Sequence, residues 1–255
     1  MGNDPVATAY YNVFSASFPQ AERYFIDSVR AYRDRAGPKL KNEIAGFIAQ
    51  ESLHSREHAA FNRDTLCPGY DLSKIDAFLK TTFAWARTLP PIKQVASTAA
   101  LEHFTTILAR EAIGNPRHLE AASAEIRRLW CWHAAEEIEH KAVAFDTFML
   151  AAQSRSAPAR WLLRCSVMVA SSWFLIDFML RGVAELFRQD GIASFVGWLR
   201  FLKFAFVTPG VIRRVIRPYF GWYAPGFHPW GRDDRTLIAA AERTIFAPGV
   251  ATAPT

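Results

Sequence analysis

Apolar residues recur at three- and four-residue intervals along most of this chain, and alternating period-two runs are missing, so the pattern predicts an all-α protein. Residues 16–35 read as a first helix, with Ser17 as its cap and Pro19 in its first turn, ended by Gly37 and Pro38. A second helix runs from Leu40 to Asp64 and closes at Cys67-Pro-Gly-Tyr70. Residues 71–87 form a crossover helix, ended by Pro90 and Pro91. A third bundle helix spans Ile92 to Ile113, and a fourth runs from His118 to Gln153 and stops near Pro158. The first and last connections are short and the middle one is long, which predicts an up-down-up-down bundle with a single long crossover.

After Pro158 the pattern changes. Trp161 to Leu180 runs 20 residues with only Arg164 and Asp177 charged, long enough to span a membrane. Helices are expected over 159–188 and 192–217 with Gly191 between them, then a loop through Pro218–Gly231, a short helix from Asp233 to Phe246, and a frayed tail from Ala247 to Thr255. The chain thus divides into a bundle over 1–157 and an apolar, basic helical extension over 158–255, packed together as one unit. Residues 1–154 carry 17 Lys and Arg against 18 Asp and Glu, whereas 155–217 carry 10 against 3. Arginines interleaved with aliphatic and aromatic runs suit anionic lipid headgroups better than nucleic acid, so no nucleic-acid partner is expected. Three readings of this segment stay open: a core helix pair, a peripheral membrane contact through 159–217, and a span.

Composition narrows the setting. With 51% apolar and 21% charged residues the chain is not disordered. Cys67, Cys131 and Cys165 are odd in number and form no C-x-x-C pair, which argues against a disulfide framework or a thiolate zinc site. A reducing cytoplasm fits, and the N-terminus shows no cleavable signal pattern.

The chemistry lies in a repeated motif. Glu51-Ser-Leu-His54 and Glu137-Ile-Glu-His140 are both Glu-x-x-His, a spacing that puts each pair on one helix face. Glu22 and Glu102 stand alone among apolar residues of two other predicted helices. Four such rods, two with Glu-x-x-His and two with a lone Glu, supply the ligands of a di-iron or di-manganese carboxylate site in the ferritin-like topology. His133 precedes Glu137 by four residues, placing a third ligand on the stripe. His58 lies two turns from Glu51, about 10.5 Å along the axis, too far to ligate; it is expected behind the ligands, at substrate or in the core. Gln50 and Glu136 are the candidate outer partners of the metal-bound imidazoles. Glu57, His103 and Glu139 point away from the seam. The competing reading is four surface helices whose Glu and His face water.

The string Glu22, Glu51-x-x-His54, Glu102, His133-x-x-x-Glu137-x-x-His140 resembles that of ferritin-like di-iron oxygenases of the p-aminobenzoate N-oxygenase type. The wider wording Gln50-Glu-x-x-His-x-x-x-His58, Trp132-His-x-x-Glu-Glu-x-Glu-His-Lys141 and Pro225-Gly-Phe-His-Pro-Trp230 is similar to a bacterial family labelled predicted metal-dependent hydrolase, over most of the chain. An apolar surround from Phe25, Phe47, Phe61, Phe104 and Phe145 favours dioxygen-dependent oxidation of a small apolar or aromatic substrate by two irons. Manganese or a mixed pair are alternatives. Hydrolysis by a di-metal-activated water, with zinc among the candidate ions, is the second reading. Metal storage or an unreactive binding module is the third. Nucleotide-binding and serine-hydrolase motifs are missing. An oxygenase would take electrons from a separate reductase, because nothing in the chain holds a flavin or iron–sulfur cluster. His228, between Phe227 and Pro229, is expected in a rigid packing turn, with closure over the site as the other reading.

Overall fold

The computed structural model describes residues 1–2 and 4–246, and among them every regular element is helical. Helix α1 covers Pro5–Arg30, far more than expected, because Asp4 caps it, its carboxylate accepting from the Val6 N–H at 2.9 Å, and Pro5 opens it. The Ser17–Pro19 signature therefore sits inside a helix rather than at its start. Pro19 has no N–H to give the Ser15 carbonyl, and Asn62 Nδ2 donates to that carbonyl at 2.9 Å instead.

Helix α2 covers Pro38–Phe61 and ends in a wide turn over Asn62–Leu66; α3, on the long crossover, covers Ser73–Ala86; α4 covers Pro91–Gly114. The predicted fourth helix is two. A loop tied down by the Arg127 guanidinium, which donates to the carbonyls of Leu119, Glu120 and Ala122, precedes α5 at Ala124–Glu139, capped by Ser123. The helix stops at His140, where Lys141 turns inward to Asp234 at 2.6 Å, and α6 resumes over Val143–Ala151. Helices α1, α2, α4 and α5–α6 form the bundle around a core that includes Phe25, Val29, Ile44, Phe47 and Phe148. Each such side chain contributes about 1.5–3 kcal/mol by leaving water.

The extension lies on the bundle. Helix α7 covers Ala157–Gln189, α8 Phe195–Phe206, α9 Val211–Gly221 and α10 Arg235–Ile245. The single helix expected over 192–217 is interrupted at Pro209 and Gly210, the glycine at φ 79°, and the second half continues through Pro218 to Gly221. One face of α7 packs on α1 and α4. Gly182 permits this: a Cβ there would stand 2.6 Å from Val13 Cγ1.

Arg164, read as part of a basic surface, is buried. It donates to the Ala224 carbonyl at 2.8 Å and lies over the rings of Phe145, Trp222 and Phe227. It therefore anchors the turn over 222–228. His228 joins that turn, facing Asp146 at 3.0 Å and accepting from the Trp230 N–H. Helix α7 is long and apolar enough to cross a membrane, and 33% of its most apolar window is buried. The tail expected over Ala247–Thr255 lies outside the described residues.

Candidate metal centre

Helical spacing carries seven side chains to one point in the bundle interior. Glu22 comes from α1, Glu51 and His54 from α2, Glu102 from α4, and His133, Glu137 and His140 from α5 and its end. None is more than 4% exposed. Three sets bring candidate ligand atoms within 4.8 Å of one another: Glu22, His54 and His133; Glu51, Glu102 and His140; and Glu51, His54 and Glu137. Two of these share Glu51, and Glu137 lies within 3.6 Å of all three histidines, so the groupings describe two adjacent positions joined by carboxylates.

Outer partners fix which nitrogen of each histidine is bare. Gln50 Nε2 donates to Glu139, so Gln50 Oε1 faces His140 Nδ1 at 3.1 Å and that nitrogen carries the proton. His140 Nε2, left without one, lies 3.1 Å from Glu51, 3.3 Å from Glu102 and 3.6 Å from Glu137. Glu136, which accepts from the Trp132 indole, lies 3.0 Å from His54 Nε2, leaving Nδ1 bare toward Glu137 at 3.5 Å.

The third histidine is set by a longer chain. Asn62 Nδ2 is committed to the Ser15 carbonyl, so Asn62 Oδ1 accepts from Ser15 Oγ at 2.7 Å. Ser15 Oγ then accepts from His58 Nδ1 at 2.8 Å, and His58 Nε2 accepts from His133 Nδ1 at 2.8 Å. His133 Nε2 is left bare, 3.1 Å from Glu137. His58 thus stands behind a candidate ligand, outside the converging set.

Three nitrogen lone pairs accordingly face carboxylate oxygens. Lone pair against lone pair at such distances is repulsive unless a proton or a cation lies between. Both oxygens of Glu22, Glu51 and Glu102, Glu137 Oε2, His54 Nδ1 and His140 Nε2 are buried without an aligned hydrogen bond, and the Glu136 carboxylate meets His54 Nε2 as a close charge contact at 3.0 Å rather than an aligned bond. Isolated buried charges of this kind cost several kcal/mol each, and native interiors pair or coordinate them. Four carboxylates and three neutral imidazoles, with no thiolate, fit two divalent ions of the iron, manganese or zinc type.

Titration follows the same crowding. Burial raises Glu22 and Glu102 well above the carboxylate range, and the neighbouring carboxylates add to it. Burial opposes charge on Glu51 and Glu137 too, but the histidines beside them outweigh it and hold both low. Without a cation, burial would depress His54, yet Glu136 and Glu51 push it up to about 9, and His140 goes well above its ordinary value for the same reason. A proton then lies between imidazole and carboxylate, where a cation could stand. His133 and His58, lowered by burial and by neighbouring imidazoles, stay neutral.

A cavity of about 50 Å³ reaches His133 and Glu137 from outside the cluster, walled by Tyr11, Phe14, Phe18, Leu108, Trp130 and Val211. Phe18 packs on both His133 and His58, with centroids at 4.3 and 4.7 Å, and Phe47 on His140 at 4.9 Å. The expected lining is corrected accordingly. Phe145 packs instead on Trp222, Phe227 and His228, while Phe25 and Phe104 face a neighbouring apolar pocket. Sequence reading missed Ser15, Asn62 and Phe18, none of which carries a motif. It also missed Glu111 and His118, paired at 3.1 Å on the cavity wall. His103 lies away from the cluster, against Trp222 and Phe227.

Residues 1–233 match the protein family described as "Predicted metal-dependent hydrolase". The chain belongs to that family. No curated protein and no solved structure matches the chain. The family match spans bundle and extension together and agrees with the histidine and glutamate groupings of the interior. It favours hydrolysis over the oxygenase reading, whose di-iron resemblance finds no counterpart among these matches.

Proposed function

We propose that Glu22, Glu51, His54, Glu102, His133, Glu137 and His140 hold two metal ions, and that the chain is a metal-dependent hydrolase of a small, largely apolar substrate. The observation that carries the metal assignment is the set of three bare imidazole nitrogens facing buried carboxylates; family membership favours hydrolysis. Two divalent ions at such a site lower the pKa of water and polarise the bond to be cleaved. The protein's own part is positioning and exclusion of water. Glu137 and His133, at the inner end of the cavity, meet the reacting group, while Phe14, Phe18, Leu108 and Trp130 hold its apolar remainder. Gln50, Glu136 and His58 keep the outer protons of the three imidazoles in place.

One observation favours a second reading, oxidation of an apolar substrate with dioxygen. The cavity wall beside the cluster is aromatic and aliphatic, the kind of surround that shields a reactive oxidant. Electrons would then come from a separate reductase.

Metal analysis separates the two. Protein loaded with zinc or manganese should cleave activated esters or amides, and the Glu137→Ala variant should lose at least one of two bound metals together with activity. Unchanged stoichiometry in that variant refutes the ligand set. Anaerobic loading with iron followed by oxygen, giving a transient visible band and no hydrolysis with any divalent metal, transfers the assignment to oxidation. Many metals per chain would mean storage.

A further inference from the structure

Most of the large apolar side chains left in water belong to the extension. Of the 18 exposed ones among the described residues, 14 lie between Leu162 and Phe220. They form stripes at helical spacing: Val169, Trp173, Ile176 and Leu180 on α7; Leu199, Leu202 and Phe206 on α8; Ile212, Ile216 and Phe220 on α9. Trp173 is 76% exposed and Phe220 62%. A contiguous apolar face of this kind marks a contact surface.

The α7 and α9 stripes both line a chamber of about 350 Å³, to which Ile176, Leu180, Ile212, Ile216 and Phe220 contribute exposed side chains. No charged side chain lines it. Two of its hydroxyls, Ser172 and Tyr219, bond each other at 2.9 Å. Tyr10, Phe14, Leu108 and Val211 line both this chamber and the smaller cavity that ends at His133 and Glu137. The chamber under the exposed face and the cavity beside the interior cluster are therefore neighbours, with these four side chains as their common wall.

Charge identifies what covers the face. Lys203 on α8 and Arg213 and Arg217 on α9 are exposed beside the stripes with no ion pair among the described residues, Arg200 and Arg214 are exposed there but lie 3.9 Å from Asp4 and 3.4 Å from Glu111, and the segment 155–217 carries ten basic residues against three acidic. Of those three, Asp177 and Glu185 are already paired with Arg181 and with Lys74 and Arg188. Apolar stripes flanked by arginine on helices that lie along a surface suit an anionic bilayer. The opposite side of α7, with Met168, Phe178, Val183 and Leu186 buried on the bundle, holds that helix against the protein.

We infer that α7, α8 and α9 seat the protein on an anionic lipid surface, and that the chamber they enclose takes the hydrocarbon chain of a membrane-derived lipid. The assignment deepens the hydrolase reading by naming its substrate class, and rests on that reading only for what happens at Glu137 and His133. The chamber falls in the size range of ligand pockets, about 300–1,000 Å³.

The test uses full-length, metal-loaded protein with phosphatidylcholine vesicles containing phosphatidylglycerol, and with phosphatidylcholine alone. Partition onto the anionic vesicles is expected, with quenching of Trp173 by brominated acyl chains. Ile216→Glu or raised salt should weaken it at least about tenfold. The fluorescent fatty acid cis-parinaric acid should bind, and Ala205→Trp, which fills the chamber, should weaken that binding at least about tenfold with partition unchanged. Val215→Trp, at a half-buried wall position outside the exposed stripe, gives the same reading should the buried variant not fold. Absence of partition, or partition indifferent to Ile216→Glu, overturns the surface; parinaric acid binding indifferent to both tryptophan variants overturns the chamber. Protease sites of the extension protected inside vesicles would make α7 a span and also overturn the inference. Lipid binding by protein that holds fewer than two metals upholds this site and refutes the metal centre.

Discussion

Ser15 acts on the interior cluster from two imidazoles away. Its hydroxyl has one proton, already given to Asn62, so it can only accept from His58, and the direction of every bond onward to His133 follows. Replacing it with alanine removes the acceptor, frees the His58 tautomer and lets His133 turn its protonated nitrogen inward. Ser15→Ala should retain two metals per chain while weakening affinity about 10- to 100-fold, read by chelator competition. Gln50→Leu should do the same through His140. Unchanged affinity in both would show that the outer bonds do not govern the inner nitrogens. Gln50 was readable from the chain as an outer partner, but the part of Ser15 and Asn62 was not, because they are 47 residues apart and are brought together by a carbonyl that Pro19 leaves free. The ligand candidates themselves were legible, since Glu-x-x-His pairs declare a shared helix face whatever the tertiary structure.

Helix α7 depends on a single absent methyl group for its seat on α1. With Val13 where a Gly182 Cβ would reach, any larger residue must push the two helices apart. Gly182→Val should therefore destabilise by about 1–3 kcal/mol, visible as a lower denaturant midpoint, and should loosen the extension before the bundle. A midpoint equal to that of the parent chain would mean that α7 is held elsewhere. Element boundaries were legible where proline and glycine cluster, as at Gly37-Pro38 and Pro90-Pro91, and misleading where one proline stands inside a helix, as Pro19 and Pro218 do. The break at His140 had no local signal. At the break Lys141 reaches Asp234, a partner 93 residues away that also takes the Arg110 guanidinium. Arg164 misled for the converse reason: composition counts a charge without knowing that three aromatic rings and a carbonyl enclose it.

Acid should unfasten the whole molecule where α4 meets the turn after α9. Burial lowers His103 to about 4, and its Nε2 donates to the Pro218 carbonyl at 3.3 Å. A folded pKa below the unfolded value near 6.5 means that the unfolded chain takes up the proton first. The stabilising contribution is complete above pH 6.5 and disappears as pH falls toward 4, a loss of up to about 3 kcal/mol. Denaturant midpoints measured across that range should fall for the parent chain and fall less for His103→Phe, which keeps the ring contacts with Trp222 and Phe227; parallel curves would exclude His103 as the source.

The crowding of acids inside the bundle would also sort by valence the ions it is proposed to hold. With their outer protons in place the three imidazoles are neutral, so the four glutamates set the charge of the interior. Two doubly charged ions bring that interior to electroneutrality, the condition a medium of low polarisability tolerates best. A pair of triply charged ions would leave an excess of positive charge and draw an anion inward, and with no ion at all the imbalance must be met by protons. The proposed two-metal state is thereby matched to reduced or redox-silent metals, and any step that raised their charge would carry with it a demand for a negatively charged guest.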